Sequence, residues 1–283
     1  MASELSMSTP SSAGTTPQGT FWSAYGTGST VVLVHGVGMD QRVWAPQVQA
    51  LMRTHHVIVY DMLGHGQSSL PDRSLELGDY VQQLRDLITH LGLQLPHIVG
   101  HSMGALIALE MGAKHSGECG SIAALNGVYC RTEAQRRSII ERAEALLKHG
   151  KSNNLDGTIA RWFGEPAPAE LQSAAELSRL LLTEVDTQGY AKAYQVFAQS
   201  DARLLGQLQA ITVPTLFATG EGDPNSTSAM SLAMHRALPG SRLEILSGQR
   251  HMMCLADVER VNTLLFQFIA YAERATESSY VPH

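Results

Sequence analysis

Three short stretches of this 283-residue chain carry residue types that together could break an acyl bond. The first is Gly100-His101-Ser102-Met103-Gly104, where the apolar run HIVGH gives way to a helical pattern. A serine flanked in this way matches G-x-S-x-G, in which a strand turns at once into a helix and holds the central side chain above the sheet in a strained backbone conformation. The helix that begins there offers free N–H groups and a positive dipole end to a developing oxyanion. Serine is a weak nucleophile until a base takes its proton, so a histidine oriented by a carboxylate must come from elsewhere in the chain. His251 follows the last apolar run, in LSGQRHMMCLADVERV, on a loop leading into an amphipathic pattern. Asp223 follows LFATGEG and precedes Pro224, so it is held on a turn. Glu221 is the competing acid, and Asp223 is preferred to it. His101, beside the serine, is expected to point away from it on so sharp a turn.

These residues need a scaffold that brings strand ends together. Short apolar runs at 31–36, 56–62, 97–101, 121–129, 215–222 and 242–248 read as buried strands. Their continuous Val/Ile/Leu character suits a parallel sheet covered on both faces. Helical patterns lie between them at about 42–53, 77–92, 103–115, 227–238 and 256–273. The alternation implies an α/β fold with a doubly wound, mostly parallel sheet of seven or eight strands. In such a sheet, sites form at the carboxyl ends of strands, where Ser102, Asp223 and His251 all fall. From 131 to 205 there is no strand signal, only helical patterns rich in Ala, Leu, Glu and Arg. This segment reads as a helical cap inserted after the fourth visible strand, splitting a core of residues 20–130 and 206–275. Residues 1–19, rich in Ser, Thr, Gly and Pro, read as a disordered tail, and 276–283 as a C-terminal tail.

Bulk properties narrow the function. A net charge of −6 and a pI near 6.0 disfavour a nucleic-acid partner, which would require a basic stripe. No apolar run approaches the length of a membrane span, and the N-terminus has no apolar signal region, so a cytoplasmic protein without membrane partners is expected. The three cysteines, Cys119, Cys130 and Cys254, lack metal-ligand spacing and fit free thiols in a reducing compartment. Neither a metal nor a cofactor is expected.

The motifs VVLVHGVGMDQRVWAPQVQAL, YDMLGHGQS, VGHSMGALIALEM, ARWF, PTLFATGEGDP and RHMMCLADVERV, in this order, resemble the α/β-hydrolase superfamily from about Phe21 to Ala272. Within it, the chain is most similar to 3-oxoadipate enol-lactonases and meta-cleavage-product hydrolases. The resemblance implies Ser102 as nucleophile, Asp223 as the acid and His251 as the base. It further implies an oxyanion hole built from the N–H groups of Met103 and of Val37, the residue after His35-Gly36. His35 and Gly36 belong with the substrate-facing loop, although His35 is the more readily explained as ordering that loop by hydrogen bonding. YDMLGHGQS reads as a structural turn.

The cap should exclude water from Ser102 and shape its pocket. Its arginines are Arg131, Arg136, Arg137, Arg142, Arg161, Arg179 and Arg203, and most are expected on solvated helix faces. Arg161 stands directly before Trp162 and Phe163 in ARWF, which resembles the enol-lactonase lid and could hold a substrate carboxylate bidentately. Trp162 is expected either in the lid core or at the pocket wall, and Met252 at the pocket, in a methionine-rich and adaptable setting. Three departures from the nearest families stand out. His101 precedes the serine where meta-cleavage hydrolases carry Asn, Ala105 follows Gly104 where a second glycine is usual, and Arg250 precedes His251 where glycine is usual. The leading reading is a serine hydrolase that cleaves a small carboxylic ester or enol-lactone through an acyl-enzyme, acting on a small molecule that carries a carboxylate. The alternatives are a carbon–carbon bond (meta-cleavage product) or amide hydrolase, a cofactor-free oxygenase, and a non-catalytic receptor on the same fold. Oligomeric state is left open.

Overall fold

A computed structural model describes residues 5–149 and 155–279. Eight strands form one sheet: β1 (Ser12–Thr15), β2 (Phe21–Tyr25), β3 (Ser29–Val34), β4 (His55–Tyr60), β5 (His97–His101), β6 (Ser121–Leu125), β7 (Thr215–Gly220) and β8 (Arg242–Leu246). Their order is β1-β2-β4-β3-β5-β6-β7-β8. β1 and β2 join antiparallel, and all pairings from β4 to β8 are parallel. The apolar runs are continuous because the sheet is buried on both faces. Val31 and Leu33 face one core and Val32 and Val34 the other; Val57 and Val59 likewise oppose Ile58 and Tyr60.

Helices α1 (Ala45–Leu51), α9 (Met253–Ala256) and α10 (Val258–Ser279) cover the first face, and α2 (Leu77–Leu91), α3 (Met103–His115) and α8 (Ser228–Ala237) cover the second. Between β6 and β7 the chain leaves the sheet for four helices, α4 (Glu133–His149), α5 (Leu155–Phe163), α6 (Gln172–Glu184) and α7 (Thr187–Ser200). The cap expected over 131–205 thus holds no strand among the described residues; residues 150–154 lie outside them.

The terminal expectations need correction. Residues 12–15 are a strand within the segment expected to be a disordered tail, because their backbone pairs with β2 from Ser12↔Ala24 to Thr15↔Phe21. An edge strand held by ladder hydrogen bonds needs no apolar pattern of its own, so composition does not show it. Residues 1–4 lie outside the description. At the other end, α10 runs to Ser279, into the segment read as a tail.

The cap rests on the core at a contact between two backbones. A Cβ on Gly189 of α7 would lie 1.9 Å from the carbonyl oxygen of Gly64, in the loop after β4. Lys192 Nζ, one turn further on, donates to the carbonyls of Pro71 and Arg73 at 2.9 and 3.1 Å. Arg42 bridges Asp40 on the core and Glu184 on α6.

Candidate active site

Ser102 stands between β5 and α3 with φ 56° and ψ −112°. This left-handed conformation costs about 1–3 kcal/mol and persists only when its surroundings over-determine it. They do so here. Ser102 N–H donates to Leu125 O at 2.8 Å, extending the ladder to β6. On each side the backbone approaches too closely for a side chain: a Cβ on Gly100 would lie 2.0 Å from Gly104 O, and one on Gly104 would lie 2.2 Å from Val34 O. The glycines of GHSMG are therefore demanded by close packing of strand, turn and helix. Met103 opens α3, so its N–H has no acceptor within the helix.

His251 lies between β8 and α9, and its Nδ1 is 2.7 Å from Asp223 Oδ2. The carboxylate is fully engaged. Its Oδ2 also accepts from Asn126 Nδ2 at 2.8 Å, and its Oδ1 accepts from the N–H groups of Asn225 and Ser226 at 2.8 and 3.1 Å. Burial pushes the Asp223 carboxyl up, but the His251 ring and the bonds from His251, Asn126 and Asn225 outweigh it and hold the group below the usual carboxylate range. An ionised Asp223 fixes the ring with Nδ1–H toward the carboxylate and Nε2 free to take a proton. Glu221 turns away, accepting from Ser247 Oγ at 2.8 Å on an exposed face.

The loop after β3 is held by two neutral imidazoles. His35 donates from Nδ1 to Gly36 O at 2.8 Å and accepts from Met62 N–H at 2.9 Å, and His65 accepts from Gly38 N–H at 3.0 Å. Burial, foremost, lowers them to about 4 for His35 and about 3 for His65, so both stay uncharged acceptors near neutrality. His35 is not among the residues that line the cavity beside Ser102, which corrects its placement with the substrate-facing set: its ring is spent on the loop. Gly36 and Val37, which that loop presents, do line the cavity.

The cavity lies between sheet and cap, with about 50 Å³ open to water-sized occupants. Ser102, His251 and Met252 line it, and Trp162 lies beside the His251 ring with ring centroids 5.7 Å apart. Asp223 sits behind His251, away from the cavity. Arg161 lines the wall, its guanidinium donating to Thr158 Oγ1 at 2.8 Å. Arg142, not singled out in the sequence, lines the same cavity and reaches its own helix at Ser138 O, 3.1 Å. Burial, and next the charge of Arg142, disfavour the charged form of Arg161, although a guanidinium stays protonated. Among the described residues no Asp or Glu lines this space. Arg142 and Arg161 thus bring two positive charges to the cavity wall, with no carboxylate among its described lining residues.

Sequence reasoning missed Asn126, Arg142 and the placement of His101. Asn126 follows β6 with φ 50°, a conformation for which Asn is enriched, and its position just after an apolar run is the one available hint. His101 is among the lining residues of the cavity, and its ring Nε2 lies 2.8 Å from His251 O. Among the described residues no three His, Cys, Asp or Glu side chains could hold a metal, and no helix is long and apolar enough to cross a membrane.

The profile of the alpha/beta hydrolase family matches residues 31–264. The chain belongs to the alpha/beta hydrolase family. It is 39% identical over 238 residues to (E)-2-((N-methylformamido)methylene)succinate hydrolase of Acinetobacter baylyi, covering 84% of this chain and 89% of that one. It is 28% identical to 3-oxoadipate enol-lactonase 1 of the same organism, covering 84% and 88%. Among solved structures, the enol-lactonase of Burkholderia xenovorans superposes with a TM-score of 0.84 at 22% identity, over 92% of this chain and 100% of that one, a likeness of fold. The eight-stranded, mostly parallel sheet with helices on both faces is the fold of this family.

Proposed function

We propose that this hydrolase cleaves an acyl bond of a small, carboxylate-bearing ester or lactone through an acyl-enzyme formed on Ser102. The observation that carries the reading is the shared cavity. It brings the elbow serine and an imidazole tied to a buried carboxylate under two guanidiniums with no acidic partner among the described residues.

In this reading His251 Nε2 takes the Ser102 proton as Oγ attacks the acyl carbon. The Val37 and Met103 N–H groups receive the oxyanion, where one lost donor typically costs about 10²–10³ in rate. The imidazolium, stabilised by Asp223, then protonates the leaving group. Water, deprotonated by the same ring, attacks the acyl-enzyme and frees the acid and Ser102. Arg142 and Arg161 hold the carboxylate away from the reacting carbon, and Trp162 screens the base from solvent. The protein takes part in each step through its own side chains and backbone, with a small molecule as the sole partner. Chemistry of this kind needs no metal or cofactor.

A second reading, an amide bond in place of the ester, is favoured by the Acinetobacter relative, whose name denotes a succinate bearing a formamide. Both readings share the serine and the anion-binding cap, and they differ in the leaving group that His251 must protonate.

Labelling with a serine-directed phosphonate, followed by peptide mass mapping, tests the common core. The adduct should fall on Ser102 and vanish in Ser102→Ala, together with turnover of a short p-nitrophenyl ester. An active Ser102→Ala protein would overturn acyl-enzyme chemistry.

A further inference from the structure

His101 precedes the elbow serine and is nearly inaccessible to solvent, at 1% exposure. Its Nε2 lies 2.8 Å from the backbone carbonyl of His251, across 150 residues of chain. A carbonyl oxygen can only accept, so His101 must carry its proton on Nε2 and leave Nδ1 bare. Nδ1 has no partner and faces the Gly36 backbone, where a Cβ would come within 3.2 Å of it. The two imidazole rings stand 5.0 Å apart, with the edge of Trp44 fixing the far side of His101.

We propose that His101 is a positioning residue, whose ring N–H on the His251 carbonyl sets the register of the base against the nucleophile that follows it in the chain. The inference rests on the reading of Ser102 and His251 given above. Its physical basis is that His251 stands on a loop between β8 and α9, which the sheet joins to the elbow across β5, β6 and β7. Asp223 fixes the ring of His251. The loop before His251 is tied by Gly222 N–H to Gln249 O at 2.9 Å and by Asn126 Nδ2 to Arg250 O at 3.4 Å, but none of these bonds reaches the elbow. His101 supplies that link from the residue next to Ser102, so any shift of the elbow carries the base with it.

His101 stays uncharged in this setting. Burial, chiefly, and then the neighbouring His251 lower it to about 3, against the opposing pull of the hydrogen bond and of Asp223. The groups that face it are His251, Asp223 and His35. A neutral ring can sit beside the imidazolium that forms on His251 during the reaction, whereas a cation there would oppose its formation.

The test compares His101→Gln, whose amide N–H can reach the same carbonyl, with His101→Phe, which keeps the ring shape and loses the donor. A displacement of the base by about 1 Å costs on the order of 10² in rate. His101→Phe should therefore lower kcat on a p-nitrophenyl ester about 100-fold with KM within a factor of about three. Phosphonate labelling of Ser102 should slow in parallel, and His101→Gln should restore both to within about fivefold of the parent. A loss shared by Phe and Gln, or a Phe variant as fast as the parent, would overturn the proposal. Ser102→Ala in the same assays reports separately on the catalytic reading. Should His101→Phe fail to fold, the ¹⁵N-histidine spectrum of the unmodified protein decides. A His101 ring protonated on Nε2 supports the link, and a neutral ring protonated on Nδ1 alone, its Nε2 bare, removes it.

Discussion

Asp223 Oδ2 receives two donors at once, His251 Nδ1 at 2.7 Å and Asn126 Nδ2 at 2.8 Å. The carboxylate therefore joins the loops after β6, β7 and β8 at one oxygen atom. Asp223→Asn should lower kcat by about 10⁴, through the wrong imidazole tautomer and an unsupported imidazolium. Glu221→Gln should change it by less than about threefold. Steady-state kinetics on one ester compare the two, and a reversed order would move the acid to position 221.

Asn126→Leu removes one donor from that oxygen without changing the acid itself. A hydrogen bond to a charged group contributes about 1.5–3 kcal/mol. Less support for the anion raises the Asp223 carboxyl toward its ordinary value, and kcat should fall about 10- to 100-fold with KM little affected. A kcat within twofold of the parent would show that the backbone donors at Asn225 and Ser226 suffice.

Arg142 and Arg161 should separate substrates by charge. Each loss, as Arg→Ala, removes a charge-assisted contact and should raise KM for a carboxylate-bearing ester about 10- to 100-fold. For a neutral ester of equal size both KM and kcat should hold within about threefold. Equal losses on both esters would make the pair a support for the cap alone.

Gly189→Ala tests how the cap is seated. A methyl group placed 1.9 Å from Gly64 O cannot be accommodated without backbone movement, which typically costs about 1–3 kcal/mol. The midpoint of thermal unfolding should drop by several degrees and KM should rise as the cap lifts. An unchanged midpoint would show that α7 yields freely.

Acid should weaken the fold before it reaches the carboxylates. Burial holds His35 at about 4 and His65 and His101 at about 3, so below about 6.5 the unfolded chain binds up to three protons that the native protein does not. Asp61, pushed up to about 6 by burial, opposes this by taking one proton in the folded state. Near pH 5 these four groups together differ by about two protons, and as pH falls they lower stability by about 3 kcal/mol per pH unit, with His97 and His115, also lowered by burial, acting in the same direction. Urea midpoints between pH 8 and 5 measure it, and a flat profile would contradict the buried, uncharged state of these three rings.

The sequence by itself determined the scaffold and the identity of the candidate reacting groups. Val31–Val34 and Val57–Tyr60 are apolar at every position because both faces of the sheet are covered, and that pattern survives in one dimension. The elbow is legible for a similar reason: Gly100 and Gly104 are forced by contacts within a few residues of each other and of β3. Asp223 before Pro224, and His251 after the last apolar run, are marked by local turn and strand signals.

What only the tertiary structure decided are the contacts between segments that carry no such mark. The strand at Ser12–Thr15 exists through its pairing with β2 and has no apolar pattern to declare it. Arg142 on α4 has the same charge and helical setting as its solvated neighbours, and only the docking of the cap turns it toward Ser102. Asn126 acquires its partner from a loop 97 residues away, and His101 from one 150 residues away. A helical or loop side chain takes its surroundings from whatever packs against it, and that packing is a property of the folded chain.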